Sequence, residues 1–176
     1  MRIYVKVRCT HDQKISIIMP DLPTPVHFTA SSEQFQIAQF LHEPPTKEDT
    51  MEIQYALSNA TNGENDEAEV LDETAKNAIT PLIYLLNRLV PIHLEEGLEI
   101  CVRSQDLPVG AGLGSSAAFG VACAAALVKL SYSTLTSPPS SSLYKNPEGG
   151  QPSSNDLETI NTYAYYSEIL LHGTPS

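Results

Sequence analysis

The chain has 176 residues, of which 41% are hydrophobic, and this length and composition suit one domain with a buried core. Its formal net charge is -11, from 10 Lys and Arg against 21 Asp and Glu, so we expect no nucleic acid and no membrane as partner. The longest apolar run, residues 117–128, falls short of the roughly 20 residues that span a bilayer. Three widely separated cysteines and no recognisable leader favour a cytoplasmic protein.

Three segments have the pattern of β-strands. Residues 3–8 alternate apolar and polar side chains, as a half-buried strand does, and residues 97–104 repeat that alternation. Residues 14–20 form a third strand, close enough along the chain to pair with the first as a hairpin. Cys101 in a strand and Cys123 in an apolar helix are expected to be small core residues.

Two helices are predicted in the first half of the chain. One starts at Ser31, which has capping-box spacing with Gln34. Its apolar face contains Phe35, Ala38 and Leu41. The other covers residues 71–89, where apolar residues recur every three or four positions. Either Thr80 caps a new helix that begins at Pro81, or one helix kinks at this proline.

Two segments lack a helical or strand period. Residues 42–50 are predicted to be a loop, and the Ser-, Pro- and Gly-rich stretch at about 131–154 is predicted to be a disordered surface loop. A last helix is predicted to start at Asn155, with Glu158 in capping-box spacing, and to end near Leu171.

The most distinctive stretch is DLPVGAGLGSSAAFGVACAAALVKL, residues 106–130, where a glycine-rich turn precedes an apolar helix. Its glycines let backbone N–H groups approach a ligand, and the helix N-terminus adds unpaired donors with partial positive charge. Ser115 and Ser116 add hydroxyls at the first turn. The spacing fits neither a P-loop nor a dinucleotide fingerprint. It predicts either a phosphate site or a tight strand-to-helix turn capped by serines.

A carboxylate in the last helix is the second candidate group. Glu168 falls within a predicted apolar stripe formed by Leu157, Ile160, Ala164 and Leu171. A carboxylate among core positions is costly unless it is paired or binds a cation. Glu168 is therefore either partly exposed where the helix leaves the core, or it faces a cation; one carboxylate, one hydroxyl and phosphate oxygens are typical of Mg2+. His172 ends the same helix.

Two stretches together resemble the GHMP small-molecule kinases. LPVGAGLGSSAA, residues 107–118, resembles the P-x-x-x-G-L-G-S-S-A-A signature of that family. NDLETINTYAYYSEILLHGTPS, residues 155–176, resembles the helix that ends in H-G-x-P-S-G in the branch acting on mevalonate. The resemblance implies an α+β fold similar to the second domain of ribosomal protein S5. Residues 1–176 would form one amino-terminal GHMP kinase domain, truncated at both ends.

The resemblance also implies which residues bind ligands. The glycine loop would wrap the phosphates of ATP through Gly110, Ala111, Gly112, Leu113, Gly114, Ser115 and Ser116. Ser116 and Glu168 would be the protein ligands of Mg2+. Asp21, together with Gln105 or its neighbour Ser104, matches positions that help to hold the nucleotide.

The activity implied by the resemblance is ATP-dependent phosphorylation of mevalonate to 5-phosphomevalonate, in isoprenoid and sterol biosynthesis, with a homodimer as the expected full-length form. The catalytic Lys and Asp of the family belong to P-G-K-x-x-x-x-G-E-H and P-S-G-x-D motifs, and neither is complete in these 176 residues. We therefore expect no turnover from the chain alone. Two alternatives stay open: a GHMP kinase acting on homoserine, galactose or phosphomevalonate, or a non-catalytic nucleotide-binding fragment or isoform.

Overall fold

A computed structural model describes residues 2–22, 25–35, 41–60, 71–90, 97–105, 115–134 and 152–173. The fold is α+β, as predicted, with one four-stranded sheet and four α-helices in these ranges. The elements in chain order are β1 (Arg2–Thr10), β2 (Lys14–Met19), β3 (Val26–Ser31), a short 3-10 helix (Ser32–Phe35), α1 (Lys47–Ala60), α2 (Glu73–Leu89), β4 (Gly97–Gln105), α3 (Ser115–Thr134) and α4 (Ser154–His172).

The sheet has the strand order β1-β4-β2-β3, so the predicted hairpin of β1 with β2 is wrong. Strand β4 lies between them, antiparallel to β1 and parallel to β2. Gly97 starts β4 inside the turn that joins β1 to β2, where a Cβ atom would overlap Thr10 Oγ1 and lie 2.5 Å from the Lys14 carbonyl oxygen. The missing side chain lets the new strand enter between two strands that are neighbours in sequence.

Strand β3 was not predicted from the sequence, although its pattern is regular. Val26, Phe28 and Ala30 are buried and the residues between them are exposed. The predicted helix start at Ser31 is wrong, because this residue ends β3 and a 3-10 turn follows. One half of the proposed cap is present, since the Ser31 N–H donates to Gln34 Oε1 at 3.1 Å. The rest of that predicted helix, residues 36–40, lies outside the described residues.

Helix α1 was also missed, and it replaces the second half of the loop predicted at residues 42–50. Thr46 precedes the helix, and its backbone N–H donates to the Asp49 carboxylate three residues on, as in a capping box. Ile53 and Leu57 are fully buried, whereas Met51 and Tyr55 are exposed on the opposite side. These exposed apolar residues obscure the helical period in the sequence.

Helix α2 is a single helix that continues through Pro81. Asp72 caps it, accepting a hydrogen bond from the Ala75 N–H at 2.7 Å. Thr80 does not start a second helix, because its hydroxyl donates back to the Lys76 carbonyl at 2.8 Å. Of the two interpretations of this proline, a single helix is therefore the correct one.

Helices α3 and α4 shorten the loop predicted at about 131–154 from both sides. Helix α3 continues to Thr134 and α4 begins at Ser154, while residues 135–151 lie outside the described residues. The cap of α4 is two residues earlier than predicted: Ser153, not Asn155, is the N-cap, and Asp156 takes the place assigned to Glu158. A Ser–Asp pair makes the same reciprocal bonds as the expected capping box.

The core lies between the helices and one face of the sheet. Ile15, Ile17 and Ile100 on the two central strands are fully buried against the helices. Cys123 is also fully buried, as predicted, and burial raises the pKa of its thiol. Cys101 is half-buried on the other face of the sheet, so its assignment to the core is wrong. Among the described helices, none combines the length and apolar character needed to cross a membrane.

A polar network attaches the segment before α1 to the helices. Tyr84 of α2 donates to the His42 carbonyl at 2.8 Å, and Tyr163 of α4 donates to Glu43 Oε1 at 2.8 Å. Arg88 also lies 3.3 Å from that carboxylate. Burial, followed by the hydrogen bond to the Glu43 carboxylate, raises the pKa of Tyr163 to about 12, so the phenol stays a donor at neutral pH.

Asp49 holds the other end of this segment. Its side chain is 1% exposed and accepts hydrogen bonds from the backbone N–H groups of His42 and Thr46, from the Thr46 hydroxyl and from the His42 ring. Burial raises the pKa of Asp49, but these hydrogen bonds outweigh burial and bring the pKa below its ordinary value of 3.8. The carboxylate is therefore more stable ionised in the folded chain than in the unfolded one.

Asp49→Asn should lower the free energy of unfolding at neutral pH by about 1–3 kcal/mol, because a buried charged acceptor is lost. The folded-state pKa lies below 3.8, so the stabilisation is present above that pH and is lost as the pH falls through the folded value. Urea unfolding at pH 5 and pH 3 should thus show a smaller pH effect in Asp49→Asn than in wild type. The control is Glu48→Gln, at the exposed neighbouring carboxylate, and its stability should depend on pH as that of wild type does. An equal dependence of stability on pH in all three proteins would contradict this role of Asp49.

Candidate functional site

The site lies where α3 and α4 run antiparallel and unusually close together. Gly120 of α3 faces Ser167 of α4, which is fully buried and donates its hydroxyl to the Ala164 carbonyl at 2.7 Å. A Cβ atom on Gly120 would overlap Ser167 Oγ and lie 3.2 Å from the Ala164 carbonyl oxygen. Glycine in a helix interior costs stability, so this position needs a packing reason, and the close approach provides it.

One turn before that contact, the two predicted cation ligands meet. The Ser116 hydroxyl, in the first turn of α3, donates to Glu168 Oε2 of α4 at 3.1 Å. The second carboxylate oxygen, Glu168 Oε1, is buried and has no hydrogen-bond partner among the described residues. The structure therefore brings together two side chains 52 residues apart, and one of them presents an unsatisfied anionic oxygen.

The buried face of α4 differs from the predicted stripe. It consists of Asp156, Ile160, Ala164, Ser167 and Leu170, and Leu157 is 51% exposed. Ile160 and Ala164 of the predicted stripe are buried, but Leu157 and Leu171 are not, and the face also includes the polar residues Asp156 and Ser167. Glu168 is half-buried beside this face, directly after Ser167. We predicted that Glu168 is either partly exposed or faces a cation. The side chain as a whole is partly exposed, whereas its buried Oε1 atom fits a carboxylate that faces a cation.

The electrostatics of this corner come from the start of α3. The first turn of a helix has unpaired N–H groups and a partial positive charge, which stabilises a nearby carboxylate. Ser115 begins the helix. The predicted phosphate loop, Gly110, Ala111, Gly112, Leu113 and Gly114, lies outside the described residues, as does the Ser115 side chain.

His172 also reaches this corner. Its Nε2 atom lies 3.3 Å from Ser116 Oγ and 3.9 Å from Glu168 Oε2. The sequence contained the signal in the spacing, because residues four apart lie on the same side of a helix. The hydroxyl, the carboxylate and the imidazole therefore form one small polar group.

The remaining predicted nucleotide residues lie at the end of β4. The Ser104 N–H donates to Asp21 Oδ2 at 2.9 Å, which joins the segment after β2 to the parallel neighbour β4. Gln105 ends β4 and its Oε1 atom lies 3.4 Å from the Tyr4 hydroxyl. Nine residues separate Gln105 from the start of α3, so both pairs border the connection that contains the glycine motif.

No three His, Cys, Asp or Glu side chains in the described ranges are grouped closely enough to hold a metal ion by themselves. A cation held by Ser116 and Glu168 would therefore need the rest of its ligands from water or from a bound phosphate. That division is typical of Mg2+, which keeps few protein ligands.

Comparison with known proteins agrees with this geometry. The family model described as the GHMP kinases N terminal domain matches residues 73–148, which include β4, the glycine motif and α3. Residues 73–148, less than half of the chain, are therefore similar to the N-terminal domain of the GHMP kinases. Its relatives show which members of that family it is most similar to.

Those relatives are mevalonate kinases. The chain is 27% identical to the mevalonate kinase of Schizosaccharomyces pombe over 177 aligned positions, which cover 100% of this chain and 39% of that protein. The human enzyme is 28% identical over 100% of this chain and 42% of its own length. The Bos taurus enzyme is 42% identical over 45% of this chain and 18% of its own length. The chain thus spans about two-fifths of the relatives that it matches throughout.

Gly120→Ala should destabilise the chain although alanine is the better helix former. Overpacking of the buried contact costs about 1–3 kcal/mol, against a gain of about 1 kcal/mol in helix propensity. Because the overlapping atom is Ser167 Oγ, the double variant Gly120→Ala/Ser167→Ala should recover most of the loss, and Ser167→Ala alone should change little. Chemical unfolding of the four proteins measures this coupling; additive effects in the double variant would show that the two helices do not touch at Gly120.

Proposed function

We propose that this chain binds Mg2+ and ATP at the corner formed by the start of α3 and the last turns of α4. We further propose that it supplies this site to a kinase that phosphorylates mevalonate. The observation that carries the proposal is the convergence of the Ser116 hydroxyl and the Glu168 carboxylate, 3.1 Å apart, beside a helix N-terminus. The printed names of the relatives support the choice of mevalonate as the acceptor.

The donor atoms fit Mg2+ in type and spacing. Both are oxygens, which this hard cation prefers, and Glu168 Oε1 has no other partner among the described groups. Adjacent ligands of an octahedral Mg2+ with bonds of 2.0–2.1 Å are about 2.9 Å apart. The 3.1 Å separation of Ser116 Oγ and Glu168 Oε2 is close to that value, which supports the proposal that they are neighbouring ligands.

The charges at this corner explain why a cation is needed. The N-terminus of α3 favours an anion, and a triphosphate bound there brings negative charge towards the Glu168 carboxylate. Two anionic groups in a partly buried site repel each other unless a cation lies between them. When bound, Mg2+ neutralises charge on the phosphates during phosphoryl transfer.

The residues of this chain then have distinct roles in the proposed reaction. Ser116 and Glu168 hold the cation and thereby fix the phosphates. The backbone N–H groups at the start of α3 bind phosphate oxygens, and Asp21 with Ser104 supports the connection at the end of β4. Phosphoryl transfer depends chiefly on such positioning and charge neutralisation, so these groups are what the domain contributes to it.

ATP binding to the chain should be stronger with Mg2+ than with EDTA, and this difference should disappear in Glu168→Gln. The amide keeps the shape of the side chain but removes the charge that attracts the cation, so we expect Mg2+-dependent affinity to fall at least about tenfold. Isothermal titration calorimetry of both proteins measures this. Glu158→Gln, an exposed carboxylate on the same helix, is the matched control. An unchanged Mg2+ effect in Glu168→Gln would remove Glu168 from the cation site.

We expect the 176 residues alone to bind Mg2+ and ATP without phosphorylating mevalonate, because the family motifs with the catalytic Lys and Asp are incomplete in this sequence. A coupled assay of ADP formation with mevalonate, ATP and Mg2+ tests this against a Glu168→Gln preparation purified in parallel. Turnover that is present in wild type and absent from the variant would show that the chain contains its own catalytic groups.

A further inference from the structure

The Ser116 hydroxyl has one proton and two acceptors within reach. Glu168 Oε2 lies 3.1 Å away and His172 Nε2 lies 3.3 Å away. A hydroxyl donates one hydrogen bond at a time, so only one of these two atoms can accept that hydrogen bond. Which acceptor is used depends on what else the Glu168 carboxylate binds.

We propose that His172 is a positioning residue that accepts a hydrogen bond from the Ser116 hydroxyl whenever the cation is bound. This inference rests on the proposed function. A cation that binds both Ser116 Oγ and Glu168 repels the hydroxyl proton and occupies the carboxylate, so the bond seen at 3.1 Å is lost. The Nε2 atom of His172, 3.3 Å away, is then the remaining partner in reach of the hydroxyl, and this hydrogen bond keeps a lone pair of Ser116 Oγ directed at the cation.

The contacts of His172 favour this role over simple charge pairing with Glu168. Its Nε2 atom is closer to the serine hydroxyl, at 3.3 Å, than to Glu168 Oε2, at 3.9 Å. An imidazole whose function was to neutralise the carboxylate is expected to lie nearer to the carboxylate than to the hydroxyl. Partners of metal ligands commonly orient those ligands, and their removal lowers metal affinity by about 10–100-fold.

The end of α4 holds the imidazole in place. Gly173 follows the helix with a φ of 78°, and its N–H donates to the Ile169 carbonyl at 2.8 Å. This bond closes the last turn, so His172 stays one turn beyond Glu168 on the side that faces Ser116. The imidazole is 63% exposed, so its replacement should leave the core intact.

The test compares two substitutions in the full chain. His172→Leu removes the acceptor, whereas His172→Gln provides a side-chain oxygen of similar reach. Calorimetry gives the affinity for ATP with Mg2+ and with EDTA for each protein, and thermal unfolding checks the fold. We expect His172→Leu to weaken Mg2+-dependent binding about tenfold or more with no change in EDTA, and His172→Gln to recover most of that loss. His27→Leu, on the exposed side of β3, is the control for removal of a surface imidazole.

Each outcome decides the matter. If His172→Leu loses as much ATP affinity with Mg2+ as with EDTA, the role of His172 is structural and the inference is overturned. An effect of Mg2+ on ATP affinity as large as in wild type would also overturn it. A Gln variant as weak as the Leu variant would show that hydrogen-bond acceptance is not what the imidazole provides. If wild type binds ATP equally with and without Mg2+, the proposed function fails first and the inference fails with it; a failure confined to the His172 variants leaves the proposed function standing.

Discussion

The close approach of α3 and α4 at Gly120 is the constraint on which the rest of the site depends. Ser116 is one helical turn before this glycine and Glu168 follows Ser167 directly, so the separation of the helices sets the distance between hydroxyl and carboxylate. A larger residue at the crossing would separate them. Packing at this crossing therefore sets the distance between the Ser116 hydroxyl and the Glu168 carboxylate, although Gly120 itself has no side chain.

The other elements hold α4 in that position. The network of Tyr84, Arg88, Glu43 and Tyr163 joins α2, the segment before α1 and α4 through phenol and guanidinium groups. At the far end, Tyr132 of α3 donates to Asp156, and this bond, followed by those from Ser153, outweighs the effect of burial and lowers the pKa of that carboxyl. Polar contacts at several points therefore align a helix whose buried face combines apolar and polar residues.

Local signals in the sequence were sufficient to predict most of the helices and strands, but they were not sufficient for β3, for α1 or for the order of the strands. The serine and the glutamate were identified because each sat in an unusual setting, a hydroxyl at a glycine-rich helix start and a carboxylate near a buried stripe. The predicted hairpin of β1 with β2 is wrong because β4 lies between these strands. The contact of Gly97 with the turn between β1 and β2, which makes room for β4, exists only in the folded chain. The exact stripe on α4 failed for a similar reason, since contact with Gly120 favours Ser167 over larger apolar residues. Contacts between residues far apart in the sequence determine the strand order and the buried face of α4, and a local stretch of sequence does not reveal such contacts.

The antiparallel arrangement places the connection between α3 and α4 at the end opposite the site. Tyr132 and Asp156 join the helices where the chain leaves one and enters the other, two turns or more beyond Gly120. Because the Tyr132–Asp156 contact and the Gly120 crossing both lie between this end of the helices and Ser116, we expect a change in the length of residues 135–151 to leave the Ser116–Glu168 distance unchanged. The domain thus offers a natural point for inserting a reporter protein or an affinity tag, and related chains are free to differ in this connection while keeping the same ligand geometry.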